Sequence, residues 1–263
     1  MAKRWLLIFS CGALVAAALS CGGSGDEGRR PAVLDPDRAA QETRTRLANR
    51  RPTPPPLPDD GPADGEPQEA DPMEVVDLAK IDPTIRIDSR WAGSDNMLGR
   101  RAYAKNRCVL RRAAAERLAR VQKRLKTQGL GLKVWEGYRP MWMQRYLWDT
   151  VGDPDLISHP SSGRRTHIRG IAVDVTLVDL QGRELAMPTG YCEFSKAEQM
   201  KHGAMKLPEE VLKNRKTLLD AMTAEGFEPY KNEWWHYNLP NWADFPLIPK
   251  DEWIGPAPGL LEK

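Results

Sequence analysis

The sequence predicts an α+β fold: a single compact domain with a small antiparallel sheet and flanking helices, behind a long non-globular leader. Three observations carry this reading. Some segments keep a helical apolar spacing and others a strand alternation. The two kinds do not alternate regularly along the chain, as a doubly wound sheet would require. The aromatic residues are also gathered in one part: of nine tryptophans only Trp5 precedes residue 90, and all six tyrosines follow it. The folded domain is therefore expected over residues 73–256, with a tail over 257–263. That length suffices for one substantial core.

Within the domain, Leu110, Ala114, Leu118, Val121 and Leu125 keep helical spacing, and Gly129 is placed to end that helix. Residues 132–136 read as a short strand, after which Gly137-Tyr138-Arg139-Pro140 turns the chain. Pro140 suits the first turn of a helix over 141–149, where its missing N–H is not needed. Residues 171–178 alternate as a strand. Pro208, with Glu209 and Glu210 behind it, opens a helix reaching 224, because carboxylates favour the positive end of the helix dipole. Gly226 ends that helix, and 227–237 reads as a last extended segment.

The leader has two parts. Residues 1–21 read as an export signal: Lys3 and Arg4, then an uncharged apolar run of about 15 residues, too short for a spanning helix. A cleaved secretion signal and an uncleaved anchor both fit this pattern. Ala18-Leu19-Ser20-Cys21 loosely resembles a bacterial lipobox, which would make Cys21 the lipidated first residue. Residues 22–72 hold ten prolines and no aromatic side chain. Such a segment cannot bury enough apolar surface to offset its ordering entropy, so it reads as a disordered tether reaching about 40 Å. The expected location is the bacterial periplasm or cell envelope, with membrane contact only through the lipid anchor.

Taking away Lys3 and Arg4 lowers the formal net charge from +3 to +1. So balanced a domain, with no basic stripe, argues against a nucleic-acid groove. Only Cys108 and Cys192 remain in the folded part. They could pair in an oxidising compartment, but two cysteines do not make a disulfide scaffold.

Three clusters carry chemistry. In His167-Ile168-Arg169-Gly170-Ile171-Ala172-Val173-Asp174, the carboxylate stands mid-strand in an apolar run, which is costly unless it is paired or metal-bound. Gly170 permits a bend bringing His167 towards it. Alone, this would more often be an ordinary hydrogen-bonded pair. Glu233-Trp234-Trp235-His236 alone could be an aromatic core strand. Together, the clusters offer two imidazoles and a carboxylate for a catalytic zinc ion, one per chain, with a fourth position open. Glu233 is then left as general base. Strand alternation does not bring Glu233 and His236 to one cavity, so a local twist is needed. Third, Arg139 on a sharp turn could stabilise an oxyanion; the alternative is a surface arginine paired with Glu136 or Asp149.

In order, these elements resemble the D-alanyl-D-alanine dipeptidases, within the zinc D,D-peptidases that share a fold with the hedgehog signalling domain. The likeness extends from residue 85 to about 239. It runs through Arg86 and Trp91, Asn96 and Tyr103, Trp135-Glu136-Gly137-Tyr138-Arg139-Pro140 and both histidine clusters. The resemblance implies zinc on His167, Asp174 and His236, Glu233 as base and Arg139 as transition-state stabiliser. It implies D-Ala-D-Ala or a peptidoglycan-derived peptide as substrate, with Tyr138, Cys192, Glu193 and Trp235 as candidate contacts. Two departures stand out. Arg165 replaces the serine of the family's Ser-x-His, and Cys192 takes the place of an aspartate that helps hold the substrate's amino end, unless Glu193 substitutes. The alternatives are a D,D- or L,D-carboxypeptidase acting on stem peptides, or a non-catalytic zinc-bound binding module.

Overall fold

The computed structural model describes residues 70–262 apart from residue 155. The predicted signal, Cys21 and nearly all of the tether lie outside the described residues. The chain runs β1 (Val75–Asp77), α1 (Leu78–Ile81), β2 (Arg86–Ile87), β3 (Val109–Arg111), α2 (Arg112–Lys126), β4 (Leu130–Glu136), α3 (Met141–Val151), β5 (Ala172–Asp179), α4 (Ala197–Met200), α5 (Glu209–Ala224), β6 (Glu228–Pro229) and β7 (His236–Asn238).

The helices form where periodicity and punctuation require them. In α2, Ala114, Leu118, Val121 and Leu125 are fully buried at helical spacing, and each large side chain contributes about 1.5–3 kcal/mol on burial. Gly129, at φ +72°, turns the chain from α2 into β4. Gln122 ties the two together: its Oε1 accepts from the Leu132 N–H at 2.7 Å. In α5, Leu218, Ala221 and Met222 face the same core, and Gly226 ends the helix at φ +79°.

The main sheet has the order β2-β4-β5-β7-β6, and β1 pairs with β3 in a separate ribbon. The sheet is antiparallel except that β2 runs parallel to β4 at one edge. A parallel neighbour needs a crossover, which β3 and α2 supply. Val173, Val175 and Leu177 of β5 share one core with residues of α2 and α5. By strand alternation Asp174 and Thr176 face the other way. On that side a second cluster gathers Trp91, Tyr138, Met143, Leu147 and Ile248.

The domain reaches beyond the predicted boundary at 256. Ala257 and Leu260 are buried, and the Ala257 N–H donates to the Ala102 carbonyl at 2.8 Å. Spaced apolar residues among prolines and glycines carry no periodic signal, so this packing was not readable as an element.

Candidate active site

β5 is the axis of the site. Asp174 stands directly across from Glu136 on β4 and from His236 on β7. The first pairing depends on a register shift between Val134 and Glu136. In an unbroken ladder Trp135 would oppose Asp174, and Glu136 would point to the helix side. One extra residue on β4 moves the Glu136 carboxylate onto Asp174's face.

His167 lies in the turn before β5. Gly170 closes that turn at φ +72°, and a Cβ there would meet Ile248 Cδ1 at 2.9 Å and the Arg111 nitrogen at 3.2 Å. Only glycine fits, as the bend anticipated at this position requires. His167 Nδ1 lies 2.7 Å from the Gly137 carbonyl. A carbonyl only accepts, so Nδ1 carries the proton and Nε2 presents its lone pair to the site.

The last extended segment is two short strands joined by a turn, which replaces the single strand over 227–237. In that turn the His236 N–H donates to the Glu233 carbonyl at 3.2 Å. A three-residue closure brings side chains at that spacing to one side, where a strand would send them to opposite faces. This is the twist the sequence required.

His167, Asp174 and His236 therefore converge. Their ligand atoms lie within 4.8 Å of one another. His167 Nε2 is 3.1 Å from His236 Nδ1 and 3.4 Å from Asp174 Oδ1, and His236 Nδ1 is 3.1 Å from Asp174 Oδ1. Donors held about 2.0–2.1 Å from a tetrahedral divalent cation stand about 3.3 Å apart. The triangle fits that spacing, and its donor set suits such a cation. Burial opposes ionisation of Asp174, but His167 and His236 more than offset it and hold the carboxyl far below the usual range. Burial likewise disfavours charge on His167, yet Asp174 beside it raises its pKa.

Glu233 stands next to this triangle, its Oε2 3.8 Å from His236 Nδ1 and its side chain 24% exposed. Burial raises its pKa, Asp174 adds to the rise, and His236, His167 and Arg139 pull against it. A carboxylate made more basic in this way suits proton acceptance near neutral pH.

Arg139 faces the same cavity and is also paired with Glu136, so both sequence readings of it meet in one arrangement. Its Nε donates to Glu136 Oε1 at 2.8 Å, its Nη2 to Glu136 Oε2 at 2.5 Å and its Nη1 to Gln144 Oε1 at 3.0 Å. Glu136 also accepts from Tyr103 at 3.0 Å. The Tyr191 hydroxyl lies 3.0 Å from Glu136 Oε2 and 3.1 Å from Asp174 Oδ2, one proton bridging two carboxylates. Tyr191 and Gln144 had no signal in the sequence; Glu136 was visible only as a partner for Arg139.

One cavity of about 380 Å³ holds His167, Asp174, His236, Glu233, Arg139, Trp235 and Cys192 in its walls. Two other candidate contacts fall elsewhere. Tyr138 is buried against Trp253 beneath the site. Glu193 lines a neighbouring cavity, where it accepts from the Gly190 N–H and pairs with Lys196 at 2.7 Å. Its carboxylate is thus engaged outside the cavity where it would have stood in for the aspartate. Cys108 and Cys192 are both free thiols. His202 has both ring nitrogens buried without a hydrogen-bond partner, and burial lowers its pKa to about 4.

A family model for peptidase M15, described as D-ala-D-ala dipeptidase, matches residues 71–250. A D-alanyl-D-alanine dipeptidase of Escherichia coli (strain K12) is 35% identical over 179 residues, covering 68% of this chain and 91% of that protein. One of Streptomyces coelicolor is 32% identical over 188 residues, covering 62% and 93%. One of Enterococcus faecium is 32% identical over 195 residues, covering 65% and 96%.

Proposed function

Because the chain belongs to the D-ala-D-ala dipeptidase family of metallopeptidases, we propose that it hydrolyses D-Ala-D-Ala or a related D-amino-acid dipeptide, with zinc as its metal. The observation that carries this reading is the 3.1–3.4 Å triangle of His167, Asp174 and His236, with Glu233 and Arg139 in the same cavity. Those three residues would hold the ion, which would supply Lewis-acid polarisation of the scissile carbonyl. Glu233 takes the proton from the attacking water and returns it to the leaving amine. Arg139 stabilises the charge that develops on the carbonyl oxygen. Glu136 fixes the guanidinium with two hydrogen bonds, so no reorganisation is needed as the charge appears. Trp235, buried at 1% exposure, forms a dry wall.

A second reading, cleavage of longer stem peptides, is favoured by the adjoining cavity of about 470 Å³. It shares Met97, Tyr191 and Cys192 with the first. Thr176, one step along the same face of β5 from Asp174, lines it with a buried hydroxyl that has no partner. The two readings separate when D-Ala release is measured from D-Ala-D-Ala and from an N-acylated tripeptide ending in D-Ala-D-Ala. The dipeptide is expected to be preferred by about tenfold or more in kcat/KM. Cleavage of the tripeptide without the dipeptide would replace the first reading by the second.

The proposal includes export to the cell envelope and lipid attachment at Cys21, supported by the basic, apolar and small residues of 1–21. Among the described residues no helix is long and apolar enough to cross a membrane. Replacing Cys21 by serine is expected to move the protein from the membrane fraction to the soluble fraction. An unchanged distribution would remove the lipid anchor from the proposal.

A further inference from the structure

We propose that Arg165 binds the C-terminal carboxylate of the substrate, an inference that rests on the dipeptidase reading above. Arg165 lines the cavity that holds the metal-ligand triangle, Glu233 and Arg139. It is a half-buried arginine whose Nε is buried without a partner. Its one hydrogen bond is long, from Nη1 to the Pro160 carbonyl at 3.4 Å. Among the described residues no carboxylate stands within ion-pair distance of it.

Arg90 also has a buried Nε without a partner, but its Nη1 and Nη2 donate to Asp95 and Glu184, and other arginines of the domain are more fully engaged. Arg111 donates to the Arg169, Met73 and Pro246 carbonyls. Arg169 donates to the Arg164, Phe245 and Gly163 carbonyls. Arg139 spends its fork on Glu136 and its remaining Nη on Gln144. Of the two arginines that flank the reacting centre, only Arg165 has no carboxylate partner, its one contact being the long bond from Nη1 to the Pro160 carbonyl. Arg164, beside it, is exposed and solvated.

The backbone gives a second, independent sign. Arg165 sits at φ +44°, in the left-handed region that suits glycine. Its carbonyl accepts from the Arg169 N–H at 3.1 Å, so the main chain alone makes this turn. Glycine would make it without strain, and the side chain contributes little to the domain's own hydrogen bonding. Strain retained at a cavity wall with an unsatisfied donor points to a ligand. Trp91 Nε1 is likewise buried, unpartnered and in the same wall.

An acceptor that matches a free guanidinium fork is a carboxylate bound by two parallel hydrogen bonds. The carboxylates within the cavity are committed: Asp174 to the imidazoles and Glu233 to proton transfer. D-Ala-D-Ala brings one carboxylate, on the residue that leaves. Arg165 therefore selects substrates with a free C-terminus next to the scissile bond.

The test uses the full chain, metal-loaded, in a Glu233→Gln background so that binding is read without turnover. Dissociation constants are measured by calorimetry for D-Ala-D-Ala and for its C-terminal amide. The acid is expected to bind at least about tenfold tighter than the amide. Arg165→Gly, which suits the local backbone, should weaken the acid by about 10- to 100-fold and the amide by less than about twofold. Arg165→Lys should recover part of the loss. Unchanged metal content shows that the site itself is intact. Equal losses on acid and amide, no preference for the acid in the parent, or no binding of the dipeptide would each overturn the proposal. A failure of the catalytic reading looks different: the dipeptide binds through Arg165, yet the chain with Glu233 does not turn it over.

Discussion

Replacing Glu233 by glutamine is expected to lower kcat for D-Ala-D-Ala by about 10²- to 10⁴-fold, the range one positioned proton-transfer group contributes. Glu233 lies beside the ligand triangle and not within it: its Oε2 is 3.8 Å from His236 Nδ1, whereas the three ligand atoms stand 3.1–3.4 Å apart. Glutamine has the same shape, so cavity packing and metal content should persist, and KM should move little. What disappears is the lone pair that takes a proton from water. Burial raises the Glu233 pKa and makes that lone pair more basic than an exposed carboxylate, although the imidazoles and Arg139 pull the other way. Steady-state kinetics beside metal analysis of the same sample makes the check. A kcat within about threefold of the parent, with full metal, would remove Glu233 from the chemistry.

The helices were legible in the sequence because their burial is periodic. Leu118, Val121 and Leu125 repeat on one face, and Gly129 and Gly226 mark the ends by a conformation other residues avoid. The residues that cluster were legible as well, since Asp174 in an apolar strand demands a partner and the fold brings His167 and His236 to it. How these residues meet was not. The pairing of Asp174 with Glu136 depends on one extra residue at Trp135, and a register shift changes which face every later side chain occupies. The convergence of Glu233 and His236 depends on a turn inside a segment whose aromatic residues read as a strand. Both features arise from tertiary packing in which Trp234 touches Trp135 and Trp235, and Tyr191 touches Trp135 and Trp235. The placement of Glu193 was illegible for a related reason. Cys192, at φ +51°, breaks the local alternation: Tyr191 and Cys192 line both cavities, whereas Glu193 lines only the neighbouring one.

Replacing Asp174 by asparagine is expected to abolish both metal retention and hydrolysis, while the chain still folds. The substitution keeps the size of a side chain that is 4% exposed and leaves an oxygen for the Tyr191 hydroxyl. It removes the charge that two imidazoles and a divalent cation share. The same charge governs the pH dependence of metal binding in the parent. The cation needs neutral imidazoles, and in the metal-free protein Asp174 favours the proton on His167 despite its burial. His167 is raised above its ordinary value, so metal affinity should begin to fall at a pH above the usual imidazole midpoint. The loss should approach about tenfold per pH unit for each proton that the cation displaces. Thermal stability of the loaded protein should fall with it, because the cation binds the folded state in preference to the unfolded one. Competition titrations with a chelator across about pH 5 to 8 read the effect. Metal affinity that is flat over that window, or an asparagine variant that keeps its metal, would mean that other donors hold the ion and that the triangle is an ordinary hydrogen-bonded cluster.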